Sequence, residues 1–443
     1  MTEGVGGSPH LLYVAWGYPP ARTGGVHRAV ATANRFAELG WRVTVLTADL
    51  DFWETHTGAD PSLLDLVDPR IEVLRVPFSW PAKDPDLSHW PLWRVLTPRL
   101  WWRWRVWKDR RDFPEPAYGP WATPIAEAAR SLHAADPVDL VVATVNPYVD
   151  AVPGLTLHAE SGVPFVVDYR DAWSLDMFSG ATLHSPDSPI GRTEQDWFEK
   201  ATEIWFVNQP IRDWHAERHP RQAERMYVVP NGIDNIATFP PRLHHGTDPG
   251  DAEVVFGYLG TLTYRVPLSV LLAGWRLARE QGLVGERDRM DLRGYLGYYR
   301  AADEEIAAEI AGAADANVSY GGPVAKAEVA GFYAGCHVLL LAMGSGRYVT
   351  SGKTYEYAAT GLPIVGIYDD RTEARSTLAG YRLLDEVAAL TAEDVATALG
   401  RGRARALGLT EDEVAEARAW SRRLLRTAGL DPRIRSLAAG VSP

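Results

Sequence analysis

Apolar positions along the chain recur in two alternating rhythms. HLLYVAW (His10–Trp16) is a short apolar run that closes in a Gly/Pro turn, apolar residues then return at helical spacing from Val26 to Leu39, and WRVTVLT (Trp41–Thr47) is apolar again. Two apolar strands joined by a helix of that length predict a parallel βαβ crossover with helices covering the sheet. Further strands are expected at 71–76, 138–144, 164–168, 203–207 and 226–229, with helical stretches between most of them. A second alternation runs through strand Glu253–Tyr258, helix Leu268–Glu280, strand Met290–Tyr295, helix Ala302–Ala313 and strand Ala316–Tyr320. It continues with helix Lys326–Ala334, strand His337–Leu341, helix Gly352–Thr360 and strand Pro363–Ile367, and a long last helix covers Glu411–Thr427.

This order predicts an α/β fold of two doubly wound domains in series. The first domain is expected over 1–235, carrying a Trp/Arg-rich insertion at about 78–121. A Pro-, His-, Gly- and Asp-rich linker at 236–252 leads to a second domain over 253–410, and 411–443 is expected to form a C-terminal helix crossing back to the first domain.

Composition narrows the chemistry. With 45 basic against 57 acidic residues and a net charge of −12, the chain lacks the broad basic field of a nucleic-acid binder, so no nucleic-acid partner is expected. Cys336 is the single cysteine, which excludes an internal disulfide and a thiolate zinc site. No signal-peptide pattern and no apolar run long enough for a membrane span are present, so a cytoplasmic location is expected. Only five residues are lysines, which makes a lysine inside a motif informative.

In open parallel sheets ligands collect at the carboxyl ends of strands and at helix N-termini. Four loops have that placement. Gly24-Gly25 opens the helix after the first strand, either as a plain turn or as a close approach for a phosphate or sugar. VVDYRDAWSLD brings Asp168, Arg170 and Asp171 to a strand end, as a structural Arg–Asp pair or as groups that hold a hydroxyl and accept a proton. Trp173 beside them either stacks on a sugar or covers the core. GYLGTLTYR sets Gly260, Thr261 and Arg265 before a helix, a combination suited to a diphosphate. In GSGRYVTSGKTYEYAATGLPIV, Lys353 and Glu356 lie three residues apart on a helix, as a surface ion pair or as a phosphate cation and a ribose-holding carboxylate.

HAERH (His215–His219) is not H-E-x-x-H and reads as a polar surface helix, so no metal site is expected, and His244-His245 read as solvated linker residues. No G-x-G-x-x-G follows a strand, which argues against a nicotinamide dehydrogenase.

On these residues the chain resembles the family-4-type retaining glycosyltransferases of the GT-B fold, two Rossmann-like domains facing each other across a cleft. The resemblance rests on Gly24-Gly25, DYRDAW (Asp168–Trp173), VPNGID (Val229–Asp234), GYLGTL (Gly257–Leu262) and SGKTYEYAATGLPIV (Ser351–Val365). It implies transfer of a sugar from a nucleoside-diphosphate sugar, UDP or GDP, with retention at the anomeric carbon. It also implies that no metal or resident cofactor takes part, with the donor on the second domain and the acceptor on the first. By resemblance, Arg265 and Lys353 bind and stabilise the departing diphosphate, whose oxygen takes the acceptor proton, and Glu356 holds the ribose. Val324, in the Gly321–Val324 turn, lies against the base, while Ser351, Gly352 and Thr354 serve the phosphates. Gly25, Gly260 and Thr261 complete the donor side. Tyr348 stands where many members carry a glutamate, and Thr261 where an arginine is frequent. On the acceptor side fall Gly24, Arg170, Trp173 and Asp171, the last as catalytic residue.

The expected acceptor is a small molecule such as an antibiotic or other natural-product intermediate. The alternatives are a peripheral membrane enzyme of cell-envelope glycan synthesis, a nucleotide-sugar epimerase, and a non-catalytic sugar-nucleotide binding protein. Seven of the 17 tryptophans lie between Trp80 and Trp107, amid Arg94, Arg99, Arg103, Arg105, Lys108, Arg110 and Arg111. Trp93, Leu96, Leu100, Trp104 and Trp107 keep helical spacing. They form a helix face packed on its own domain, a stacking wall for an acceptor, or a membrane contact over 93–111.

Overall fold

The structure, a computed structural model, describes residues 8–84, 86–236, 242–243, 252–297, 303–325, 328–344 and 346–441. It contains two all-parallel sheets. The first comprises β1 (His10–Val14), β2 (Arg42–Ala48), β3 (Glu72–Val76), β4 (Leu140–Val145), β5 (Phe165–Tyr169), β6 (Glu203–Phe206) and β7 (Met226–Val228), ordered β3-β2-β1-β4-β5-β6-β7. β1 is central: Leu11 faces Val43 on one side and Leu140 on the other. Every residue of β1 is buried, which is why the strand reads as a continuous apolar run rather than an alternating one.

The second sheet comprises β8 (Val255–Leu259), β9 (Arg289–Arg293), β10 (Val318–Tyr320), β11 (Val338–Ala342), β12 (Ile364–Ile367) and β13 (Leu384–Glu386), ordered β10-β9-β8-β11-β12-β13. Its two faces carry separate cores. Along β11, Val338, Leu340 and Ala342 join Phe256, Trp275 and Leu399, while Leu339 and Leu341 join Tyr355, Tyr357 and Val414. That alternation is the two-residue period of a strand covered on both sides. In each sheet the winding reverses once, between β1 and β4 and between β8 and β11, the places where ligand crevices form in such sheets.

The chain divides into two compact units, one of residues up to Pro230 together with those from Gly429 onward, the other Asn231–Ala428. Asn231–Asp234, which the sequence reading puts with the first domain, pair inside the second unit. Ile233 N donates to Leu424 O at 3.1 Å, and Arg426 N donates to Ile233 O at 2.8 Å. Most of the expected linker at 236–252, with His244-His245, lies outside the described residues, as does Lys326.

The expected long C-terminal helix is broken: Glu411–Ser421 ends in a 3-10 turn, Arg422–Leu424, before a further helix, Arg426–Val441. In the first unit, the part of that helix beyond Gly429 buries Leu430, Ile434 and Leu437. Arg35 clamps Asp431 there with two hydrogen bonds of 2.7 and 2.5 Å, and Arg433 reaches Glu203 at 3.3 Å.

The Trp/Arg-rich segment also differs from a single packed helix. Pro98 starts a second helix, so the chain forms Leu92–Leu96 and Pro98–Asp112, with the Thr97 hydroxyl donating to Trp93 O at 2.8 Å. The residues at helical spacing face outward: Leu96, Leu100 and Trp107 are 76%, 61% and 62% exposed. Trp101 and Asp109 hold the inner face instead. Of the three alternatives for this stripe, the exposure of Leu96, Leu100 and Trp107 speaks against a face packed on its own domain.

Candidate functional site

In the second unit the loops after β8 and β11 converge on Lys353. The helix Gly352–Thr360 begins at Ser351, and Lys353 in its first turn reaches back over β8. Its Nζ donates to the Tyr258 hydroxyl at 2.8 Å and sits 4.2 Å from the centre of that ring. Tyr258 in turn donates to Thr261 O at 3.2 Å, tying the lysine to the turn that ends the strand. Gly260 has φ +150° there, and a Cβ on it would stand 2.8 Å from Lys353 Nζ, so the position admits only glycine. Burial of the ammonium pushes the Lys353 pKa down to about 8, against the opposing pull of Glu356. Arg265 joins the cluster through its backbone, which packs on Gly344 after β11.

Glu356 is exposed and accepts from the Tyr333 hydroxyl at 3.0 Å. Lys353 and Glu356 thus take different partners rather than pairing with each other. Gly352 is exposed, while Ser351 and Tyr348 are partly so. The Gly321–Val324 turn follows β10, and Gly322 O accepts from Gly294 N at 2.9 Å. Thr354 departs from its expected role. It is fully buried, its backbone N–H bonds Ser351 O at 3.1 Å and its hydroxyl points to the Met343 sulfur, so neither group is offered to a phosphate.

In the first unit a cavity of about 150 Å³ opens at the β1/β4 reversal, lined among others by Trp16, Gly24, Gly25, Tyr118, Asp150 and Arg170. Gly25 caps the Val26–Glu38 helix, and the Arg170 guanidinium lies 1.8 Å from where its Cβ would be. Arg170 also bonds Asn146 O at 3.1 Å and Asp171 at 3.2 Å, and Asp171 accepts from Asn146 Nδ2 at 2.7 Å. Gly24, Gly25, Arg170 and Asp171 therefore come together.

Trp173 does not join them. It is buried, stacked on Tyr148 at 4.3 Å and on Trp197 at 5.3 Å, and takes the core-covering alternative. Asp168 is likewise structural: Arg28 grips it at 2.8 and 2.6 Å beneath the loop.

Residues absent from the sequence reading line the same cavity. Trp16 and Tyr118 meet edge-on at 5.3 Å and supply the aromatic wall expected of Trp173. Asp150 is fully buried and accepts from Trp16 N at 2.8 Å, and burial pushes its carboxyl pKa well above the usual carboxylate value. Burial also raises Glu115 behind it to about 8. The one available signal is Asn146-Pro147, a turn dipeptide at a strand end.

HAERH is not a surface helix at its first histidine. His215 is fully buried, and its Nε2 lies 3.7 Å from Glu194. Although burial acts to raise Glu194, His215 and the Tyr169 hydroxyl hold its carboxylate below the ordinary value. Among the described residues no group of three or more His, Cys, Asp or Glu is placed to hold a metal, and no helix is long and apolar enough to cross a membrane.

No family model and no curated protein matches the sequence. Solved structures do match in fold. Sucrose-phosphate synthase from Thermosynechococcus elongatus aligns with TM-score 0.61 at 15% identity, covering 98% of this chain and 99% of that one. Anabaena HepE in complex with UDP aligns with TM-score 0.64 at 14% identity, covering 97% of this chain and all of that one. A putative UDP-N-acetylglucosamine 2-epimerase from Listeria monocytogenes reaches 0.54 at 10%, covering 98% and 97%. The likeness shows the fold, two doubly wound parallel-sheet α/β domains of the GT-B class.

Proposed function

We propose that the protein is a metal-independent glycosyltransferase that moves a sugar, with retention, from a nucleoside-diphosphate sugar to a small-molecule acceptor. The observation that carries this reading is the Lys353 cluster at the β8/β11 reversal, where a semi-buried ammonium, the Gly260 turn and an outward Glu356 meet. A cation drawn from water interacts strongly with a diphosphate, more so as negative charge builds on the leaving oxygen. Arg265 adds a permanent charge, Glu356 is placed to hold ribose hydroxyls, and the departing oxygen itself takes the acceptor proton, so no strong protein base is needed. HepE, a protein of this fold, binds UDP and UDP-glucose, which favours a uridine donor.

The acceptor side falls on the first unit. Arg170 presents a cation at the small cavity, Asp171, bonded to Arg170 and Asn146 of its lining, supplies a carboxylate to hold a hydroxyl, and Trp16 and Tyr118 give the cavity an aromatic wall. The epimerase of the same fold supports a second reading, in which the sugar is rearranged without transfer.

Thermal-shift titration with UDP, GDP, ADP and dTDP sugars tests the donor, because a ligand that binds only the folded state raises its midpoint. A shift with one nucleotide, abolished in Lys353→Ala and Glu356→Ala, is expected; an undiminished shift in both variants overturns the site. Release of free nucleoside diphosphate only when an acceptor is present separates transfer from epimerisation.

A further inference from the structure

Among the described residues, the most exposed apolar surface is not at either sheet end. Of the large hydrophobic side chains that lie open to solvent among the described residues, nearly half fall between Leu87 and Trp107. They sit on a rigid scaffold. Arg94 is buried, lies 3.5 Å from the Trp90 ring centre and 4.4 Å from that of Trp101, and donates to Pro81 O at 2.6 Å and Ala82 O at 3.0 Å. Trp93 packs edge-on against Trp104 at 5.0 Å, joining the two helices of the hairpin. The exposure is therefore a property of a built element and not of a loosely packed strand of chain.

Two stripes result. On the Leu92–Leu96 helix, Leu92, Val95 and Leu96 point outward at i, i+3 and i+4. On Pro98–Asp112, Trp101, Arg105 and Asp109 mark the inner face, with Arg105 Nε 2.7 Å from Asp109. The opposite face carries Leu100, Trp104 and Trp107, flanked by Arg99, Arg103, Lys108, Arg110 and Arg111, all exposed. Asp112 is the one exposed acid of that helix. In a chain of net charge −12 this is a local inversion of sign.

We propose that this hairpin docks the protein on an anionic phospholipid surface. Leucine and tryptophan side chains enter the boundary between headgroups and acyl chains, where indole rings are favoured, and the arginines extend from the same face to lipid phosphates. A second copy of the chain is a poorer occupant. In a two-fold contact these cations would face their own copies, with Asp112 as the one exposed acid of the helix against Arg99, Arg103, Lys108, Arg110 and Arg111. The inference stands apart from sugar transfer, since it uses no residue of the Lys353 or Arg170 clusters.

Co-sedimentation of the full chain with vesicles of phosphatidylcholine alone, and with added phosphatidylglycerol, tests it. Binding is expected only to the anionic vesicles and is expected to fall with salt. The double variant Arg103→Glu/Arg110→Glu should partition at least about tenfold less, and Leu100→Ala/Trp107→Ala should also lose binding. All four side chains are exposed, so an unchanged melting temperature and circular dichroism spectrum are expected of both. Equal binding to neutral and anionic vesicles, wild-type binding by the charge-reversed variant, or a patch-dependent dimer in sedimentation velocity without vesicle binding would overturn the proposal. A nucleotide thermal shift on the same variants is expected to be unchanged, so failure here and failure of the donor site are read separately.

Discussion

Lys353 is the residue whose surroundings say most about its work. An ammonium with a pKa pushed down to about 8 carries its charge at neutral pH and sheds it in mildly alkaline solution. Its folded-state value lies below the ordinary lysine value, so the unfolded chain binds the extra proton between about 8 and 10.4, and this group adds stability as pH rises through that window. Diphosphate binding has the opposite sign. Affinity for the nucleotide should fall roughly tenfold from pH 7 to pH 9 as the free protein loses the ammonium. Lys353→Arg, which cannot deprotonate, should flatten the profile, and isothermal titration across that range measures both. Lys353 is readable in the sequence because lysine is scarce and stands at a helix start after a glycine-rich strand end. Trp173 and Thr354 are not readable, because what buries them comes from elsewhere: Tyr148 and Trp197 stack on the indole, and Met343 takes the hydroxyl.

Among the elements, the strong apolar runs are visible from sequence and the weak ones are not. β13 is three residues long with two acids, Leu384–Glu386, and the helix Ala392–Gly408 packs through alanine and glycine as much as through Val395 and Leu399. Neither has the periodicity that reveals β11 or the Leu268–Glu280 helix. The hairpin of Leu92–Asp112 misleads for a different reason. Its spacing is helical, but the stripe that spacing defines faces water, and the element is fastened by Arg94, a residue that composition assigns to the surface. Arg94→Ala removes a guanidinium held between two indoles and leaves two carbonyl groups without their donor. The cost should be about 2–4 kcal/mol, confined to the hairpin. Limited proteolysis should then cut within 84–98 well before the sheets are attacked, and Arg94→Lys should rescue little, since a single ammonium cannot reproduce the planar fork.

For the molecule as a whole, the order of elements carries the fold where identity does not: neighbours at 10–15% identity align over nearly the entire chain. The sequence already points the C-terminal stretch back to the first unit, where the chain from Gly429 onward lies; what it hides is that Asn231–Asp234 pair inside the second unit. Leu430, Ile434 and Leu437 are buried in the first unit. Deleting the chain from Gly429 onward should destabilise that unit by roughly 5 kcal/mol or more through lost apolar burial alone. Calorimetry should show its transition moved to lower temperature, while the nucleotide-dependent shift of the second unit persists.

The same returning segment sets a timetable. Domains commonly fold as units in the order in which they leave the ribosome. Here the residues that finish the first unit are made only after all of Asn231–Ala428. The unit begun first is thus completed last, and throughout elongation Arg35 and Glu203 await partners, Asp431 and Arg433, that have not yet been translated.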